Sequence, residues 1–248
     1  MSVTKCPLCL EVKEIRRSHL VPAAMYKYAA DPNARNPITM VVDRWGRARV
    51  GKHVTADLLC SDCENRISTN GENYVMRQVW NGKEFPLLNR LNVALEVRKL
   101  DDVLVYSGSA AGIDTEKLAY FALSVLWRAS IREWRTSKLA TFRLPLGQDE
   151  EPLRQYLKGE TEFPANVSVI VTVCTDIYSR VFHLPTVATF PIPITAYSFV
   201  ALGVNFLVIM GPFAPEKVCC VRSREKVISK RNCGRKMLEA YAYLLAQT

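Results

Sequence analysis

No apolar run in this 248-residue chain is long enough to cross a bilayer as a helix. The most apolar stretch, residues 196–210, is interrupted by Gly203 and Asn205 and falls short of the roughly 20 residues a spanning helix needs. It reads as buried strands. Residues 1–5 lead straight into a cysteine without the apolar stretch of a secretory leader. Together these absences predict a cytoplasmic protein, away from membranes, with reduced thiols. There is no low-complexity tract and no internal repeat, so the solenoid and disordered classes drop out. Acidic residues are the minority among the charges, 24 against 33 Lys and Arg, giving a formal +9. That surplus favours an anionic partner, nucleic acid first, although a plain basic surface accounts for it equally well. A protein partner or a homo-oligomer stays open.

Eight cysteines are present. Four form two pairs, Cys6-Pro7-Leu8-Cys9 and Cys60-Ser61-Asp62-Cys63, each with two residues between the sulfurs. That spacing lets a tight turn aim both thiolates at one tetrahedral ion. A single pair of this kind could be redox-active. Two of them in a reduced compartment, without a βαβ setting, point to one structural zinc. Bound zinc would lower the working charge to about +7, since four thiolates outweigh the ion by two. Cys174, Cys219, Cys220 and Cys233 show no ligand spacing and read as packing residues.

The chain reads as α+β in two parts. Residues 1–75 are turn-rich and carry the cysteine pairs, with a short strand over 13–19 and a helix from Ala23 to Ala30 behind Pro22. A hairpin follows over 38–50 around Arg44-Trp45-Gly46-Arg47, and a helix begins near Ser61. Residues 76–248 form an α+β domain of unassigned role that positions a substrate or partner. Strands are expected over 91–97 and 103–106. A long helix runs from Asp114 to about Arg135, with Asp114 or Thr115 as its cap. Leu118, Phe121, Val125, Leu126 and Ala129, extended by Trp127 and Trp134, mark its apolar face; Arg128, Arg132 and Arg135 follow the opposite flank as a solvated edge. After a short helix over 150–158, ended by Gly159, an antiparallel sheet spans residues 167–210. A final helix is expected over 232–247, after a basic stretch over 222–236.

Fifty residues separate the cysteine pairs, and the second pair sits at the entry to a helix. Knuckle, hairpin and ligand-bearing helix is the treble-clef order, in which the metal stabilises a segment too small for a good core. Inside it lies Arg16-Arg17-Ser18-His19-Leu20-Val21-Pro22, and Leu58-Leu59-Cys60-x-x-Cys63-Glu64-Asn65 closes it. Here the first third of the chain resembles the HNH, or ββα-metal, nucleases. It is similar to a bacterial branch with Ser-His-apolar-apolar-Pro and Leu-Leu-Cys-x-x-Cys-Glu motifs and a later Glu, here Glu72. The resemblance implies a metal-dependent endonuclease that hydrolyses phosphodiesters. His19 would be the general base, and Mg2+ or Mn2+ would be held by Glu64, Glu72 and Asn65. Arg16, Arg17 and His53 are the candidate phosphate contacts. The chain departs from the family where Ser18 stands before the base and Glu64 follows the last cysteine. His183 reads as structural. The alternatives are a non-catalytic zinc module for nucleic acid or protein, and a nuclease subunit that works only in a complex, such as a bacterial defence system.

Overall fold

The computed structural model describes residues 2–29, 39–42, 48–50, 53–100, 103–135, 141–175, 182–188, 195–211 and 227–231. Strands β1 (Ser2–Lys5) and β2 (Val12–His19) lead to helix α1 (Ala23–Ala29), then β3 (Thr39–Val42), β4 (Ala48–Val50) and β5 (Thr55–Cys60). Next come α2 (Ser61–Ile67), a π-helical turn (Ser68–Glu72) and α3 (Asn73–Gln78) in one unbroken run. They are followed by α4 (Pro86–Val93), β6 (Glu96–Leu100), β7 (Val103–Ser107), α5 (Thr115–Ile131), β8 (Trp134–Arg135), β9 (Thr141–Phe142) and α6 (Glu150–Lys158). The last elements are β10 (Val167–Cys174), β11 (Phe182–Ala188), β12 (Thr195–Ala201), β13 (Val204–Met210) and β14 (Val227–Arg231). The fold is mixed α+β.

A small antiparallel sheet, ordered β1-β2-β5, carries the cysteine pairs at its ends. A nine-stranded sheet follows the order β4-β3-β11-β12-β13-β10-β14-β7-β6. It is not antiparallel throughout: β10 with β14 and β11 with β3 run parallel. The hairpin expected over 38–50 exists as the β3–β4 pair and joins this large sheet, while its turn lies outside the described residues. One continuous core runs from Cys6 to Ile228, and the boundary expected near residue 75 falls inside α3. The helix expected over 232–247 and Cys219, Cys220 and Cys233 lie outside the described residues. Cys174, expected as a packing residue, is buried and disulfide-bonded.

Three further expectations need correction. Residues 91–97 are not one strand: Pro86 starts α4, which runs to Val93, and β6 begins only at Glu96. Proline at a first helical position explains why the alternating pattern there misleads. The long helix stops at Ile131, and Trp134 enters strand β8. Nor does α5 keep a solvated basic edge. Nearly every residue from Thr115 to Ser130 is buried, because the helix lies between the α2–α3 run and the large sheet. A helix apolar all round is a buried helix. Phe121 meets Phe199 and Phe206 edge-on at 5.9 and 5.4 Å, while its other side faces Gly71. Asp114 caps the helix as expected, its carboxylate accepting the Lys117 N–H at 3.1 Å.

The π turn and Gly71 together set the spacing of the site. Eight residues of α-helix overshoot two full turns by about 80°. The extra residue taken up by the π turn returns Glu72 to within about 20° of the face that carries Glu64. A Cβ on Gly71 would lie 3.0 Å from the Cα and N of Phe121, so only glycine lets the two helices approach this closely. Gly71→Ala tests this. Helix propensity alone would favour Ala by about 1 kcal/mol. Overpacking against a backbone that cannot rotate away costs roughly 1–3 kcal/mol. The expected net effect is destabilisation by about 1 kcal/mol in urea unfolding; stabilisation would show that the helices part freely.

Candidate functional site

The first cysteine pair sits on the turn between β1 and β2. Leu10 closes that turn in the left-handed region, with φ of 64°, donating its N–H to the Cys6 carbonyl at 2.8 Å. The second pair straddles the end of β5 and the first turn of α2. The β2–β5 pairing holds Ile15 opposite Cys60, which brings the pairs together. All four sulfurs lie within 4.8 Å of one another, and Cys9 and Cys60 are 3.9 Å apart. Tetrahedral bonds of about 2.3 Å would space such sulfurs by about 3.8 Å. The site could therefore hold a metal ion such as zinc.

The thiols perturb one another's protonation. A hydrogen bond from Cys63 is the main cause that lowers Cys6 to about 4, and the same contact pushes Cys63 up. Burial raises Cys9. The Cys60 N–H points at Cys6 Sγ from 3.4 Å, a donor that favours thiolate. Arg154, a buried arginine that sequence reasoning missed, donates to the Leu8 carbonyl inside the first knuckle at 2.8 Å and is held by Glu151 and Glu160.

A bulge in the β2–β5 pair, between Arg16 and Arg17, shifts the side-chain alternation. Arg16 and Arg17 therefore both face solvent, while Ser18 turns inward. Ser18 Oγ accepts the Leu59 N–H at 3.2 Å and its hydroxyl hydrogen-bonds Glu64. The other Glu64 oxygen, Oε1, is buried with no hydrogen-bond partner, and burial raises this carboxyl. Arg17 Nε donates to Thr55 Oγ1 at 2.8 Å.

His19 ends β2, half-buried. Its Nε2 lies 3.0 Å from Nδ1 of His53, whose residue is exposed. Tyr26 stacks on His53 with ring centroids 4.4 Å apart and planes 18° from parallel. Burial is the main cause that lowers the His19 pKa, followed by the His53 charge; Glu72 opposes them. Both causes favour the neutral form of the His19 imidazole.

Behind it lies Arg128, only 1 % exposed and far from the solvated flank expected for it. Its Nη1 donates to the His19 carbonyl at 2.9 Å, Nη2 to Glu72 Oε1 at 2.6 Å, and Nε to the Ser124 carbonyl at 3.2 Å. Trp134 Nε1 donates to the Arg128 carbonyl at 2.8 Å. The signal available in the sequence was Arg128 standing one residue after Trp127 within an apolar helix. Arg132, by contrast, remains on the surface side, donating to the Asp57 carbonyl.

His19, His53, Glu64 and Glu72 thus share one electrostatic neighbourhood around Arg128. Asn65 does not join it. One step further round α2, it is exposed and lines a separate cleft of about 410 Å³ with Cys9, Asp62, Thr69, Asn70 and Lys158. Arg16 and Arg17 lie on the outer surface of β2, and His183 lies far along the chain on β11 opposite Val200. No family model, curated protein or solved structure matches this chain. No helix among the described residues is long and apolar enough to cross a membrane.

Two outcomes are expected. The purified protein carries one metal ion per chain by elemental analysis, and Cys60→Ala loses both the ion and most of its thermal stability. An unchanged metal content in that variant would contradict the site. Removing one partner of a buried ion pair costs roughly 3–5 kcal/mol, so Arg128→Met should be strongly destabilised in urea. Adding Glu72→Gln should recover part of that loss by removing the stranded charge; no recovery would mean that Glu72 is not the guanidinium's essential partner.

Proposed function

We propose that this protein hydrolyses phosphodiester bonds in nucleic acid from an HNH-like ββα unit: β2, β5 and α2, pinned by a structural zinc on Cys6, Cys9, Cys60 and Cys63. The observation that carries the reading is the neutral His19 imidazole at the end of β2, paired to His53 at 3.0 Å and placed beside the metal-pinned helix. An imidazole pair at the end of a strand is suited to take part in moving a proton from water at neutral pH. Arg16 and Arg17, exposed on the same strand, supply phosphate contacts within a chain of net charge +9.

The divalent cation that the resemblance implies is a separate matter, and the donors do not fit it. Glu72 Oε1 is already taken by Arg128, whose charge would repel a cation at that point. Asn65 faces the other cleft. Glu64 Oε1 is buried with no hydrogen-bond partner, but it converges with no group of three or more ligating side chains. Among the described residues, the four cysteines are the only group of three or more metal-ligating side chains that converge. No step is therefore derived through a catalytic Mg2+ or Mn2+. The same Arg128–Glu72 pairing favours a second reading, a non-catalytic zinc module that binds nucleic acid through its basic strand.

Cleavage of DNA and RNA separates the two. With Mg2+, Mn2+ or chelator present in parallel, the wild type should cut at least one substrate, and His19→Ala should lose about 100-fold or more in rate. Equal rates would remove His19 from the mechanism. Salt-sensitive binding without cleavage would support the binding module.

A further inference from the structure

The imidazole pair has a direction, and that direction divides the work within the proposed hydrolase. His19 is half-buried and uses Nε2 toward its neighbour; His53 is exposed and uses Nδ1. The nitrogen of the pair that lies across an exposed ring from this contact is Nε2 of His53. We propose that His53 exchanges the proton with the attacking water and that His19 is the positioning residue behind it. This rests on the hydrolase reading.

The surroundings hold His53 in one pose. Tyr26, 2 % exposed, covers one face of its ring at 4.4 Å. The Tyr26 hydroxyl is fixed in turn by the Val54 N–H at 3.0 Å, one residue from His53. The Leu20 N–H donates to the Val54 carbonyl at 3.0 Å, which locks the two chain segments carrying the histidines against each other. The Arg128 guanidinium anchors the His19 carbonyl. With its face covered and its Nδ1 engaged, the His53 ring has little freedom, as a proton-transfer group requires. The other charged groups acting on His19 are Glu72 from the π turn, Arg128 from α5 and Arg17 from β2.

The proton inventory follows from the contact. For Nε2 of His53 to accept, its Nδ1 carries the hydrogen and donates to Nε2 of neutral His19. The water O–H bond breaks and its proton passes to His53 Nε2 as the water oxygen bonds to phosphorus. The P–O bond to the leaving oxygen breaks, its electron pair staying on that oxygen, which then takes a proton from solvent. The His53 imidazolium, hydrogen-bonded to His19, later returns its proton to solvent. His19 accepts the Nδ1–H throughout and gains no proton.

Supercoiled plasmid and a folded RNA transcript are the probes. His53→Phe keeps a flat ring against Tyr26 but no nitrogen. It should melt with the wild type and keep its KM, while kcat falls by about 100-fold or more. His53→Ala should regain about 10-fold with free imidazole, which no purely structural role predicts. His19→Gln, whose carboxamide oxygen can take the same hydrogen bond, should retain clearly more kcat than His19→Ala. If His53→Phe cleaves within roughly threefold of the wild type, the assignment falls and the hydrolase reading stands. If the wild type cleaves neither probe under any metal condition, both fall.

Discussion

A guanidinium cannot shed its proton, so burying one obliges the protein to satisfy it completely or lose several kcal/mol. Arg128 is the point where this chain accepts that obligation. Its three nitrogens bind the end of β2 through the His19 carbonyl, the π turn through Glu72, and its own helix through Ser124. Three elements distant in sequence therefore have one compatible arrangement. Gly71 is required because Arg128 lies two turns beyond Phe121, and the arginine can reach Glu72 only if the helices touch backbone to backbone. The π turn is required because an unbroken α-helix would carry Glu72 past the guanidinium.

The sulfur cluster imposes the complementary constraint. With a metal bound it would hold the β1–β2 turn, the end of β5 and the start of α2 at fixed distances, and the bulge between Arg16 and Arg17 decides which β2 side chains face inward. Ser18 turns in toward Glu64, both arginines turn out, and His19 arrives at the strand end next to His53. The two constraints meet at His19. Its backbone belongs to the arginine network through its carbonyl, and its ring belongs to the histidine pair. Arg154 makes a second such link by tying α6 to the first knuckle. Neither end of this unit is independent of the later chain, which is why one core runs through both.

The sequence made the cysteine site legible because ligand spacing is a local property: each pair is a turn, and a turn is written in adjacent residues. Asp114 as a cap and Gly159 as a helix stop, with φ of 81°, were legible for the same reason. What was hidden depended on distant partners. Arg128 looks like one of three arginines on a solvated flank until the large sheet is present to bury the far side of α5. The His19–His53 contact comes from the pairing of His19 with Thr55, a register that no local pattern states. The parallel partners β14 and β3 were invisible because strand order in a sheet is set by tertiary packing, not by alternation within a strand. In an unbroken α-helix eight residues place Glu72 off the face of Glu64, and the π turn that corrects this has no signature in Ser68-Thr69-Asn70-Gly71-Glu72 beyond its glycine.

These facts bear on how the proposed site can arrange its charges. A phosphodiester-cleaving site must place positive charge near the phosphorus and a proton acceptor near the attacking oxygen. The first can come from a bound cation or from fixed arginines, and the two compete for the same carboxylates. Here Arg128 binds one oxygen of Glu72, and its positive charge opposes a cation at that carboxylate. Arg16 and Arg17 remain exposed on the outer surface of β2. An arginine binds an anion through hydrogen bonds of defined direction rather than as a point charge. The buried ion pair and the exposed imidazole are then parts of one arrangement: the first holds the His19 backbone rigid, and that rigidity fixes the ring against which His53 is set.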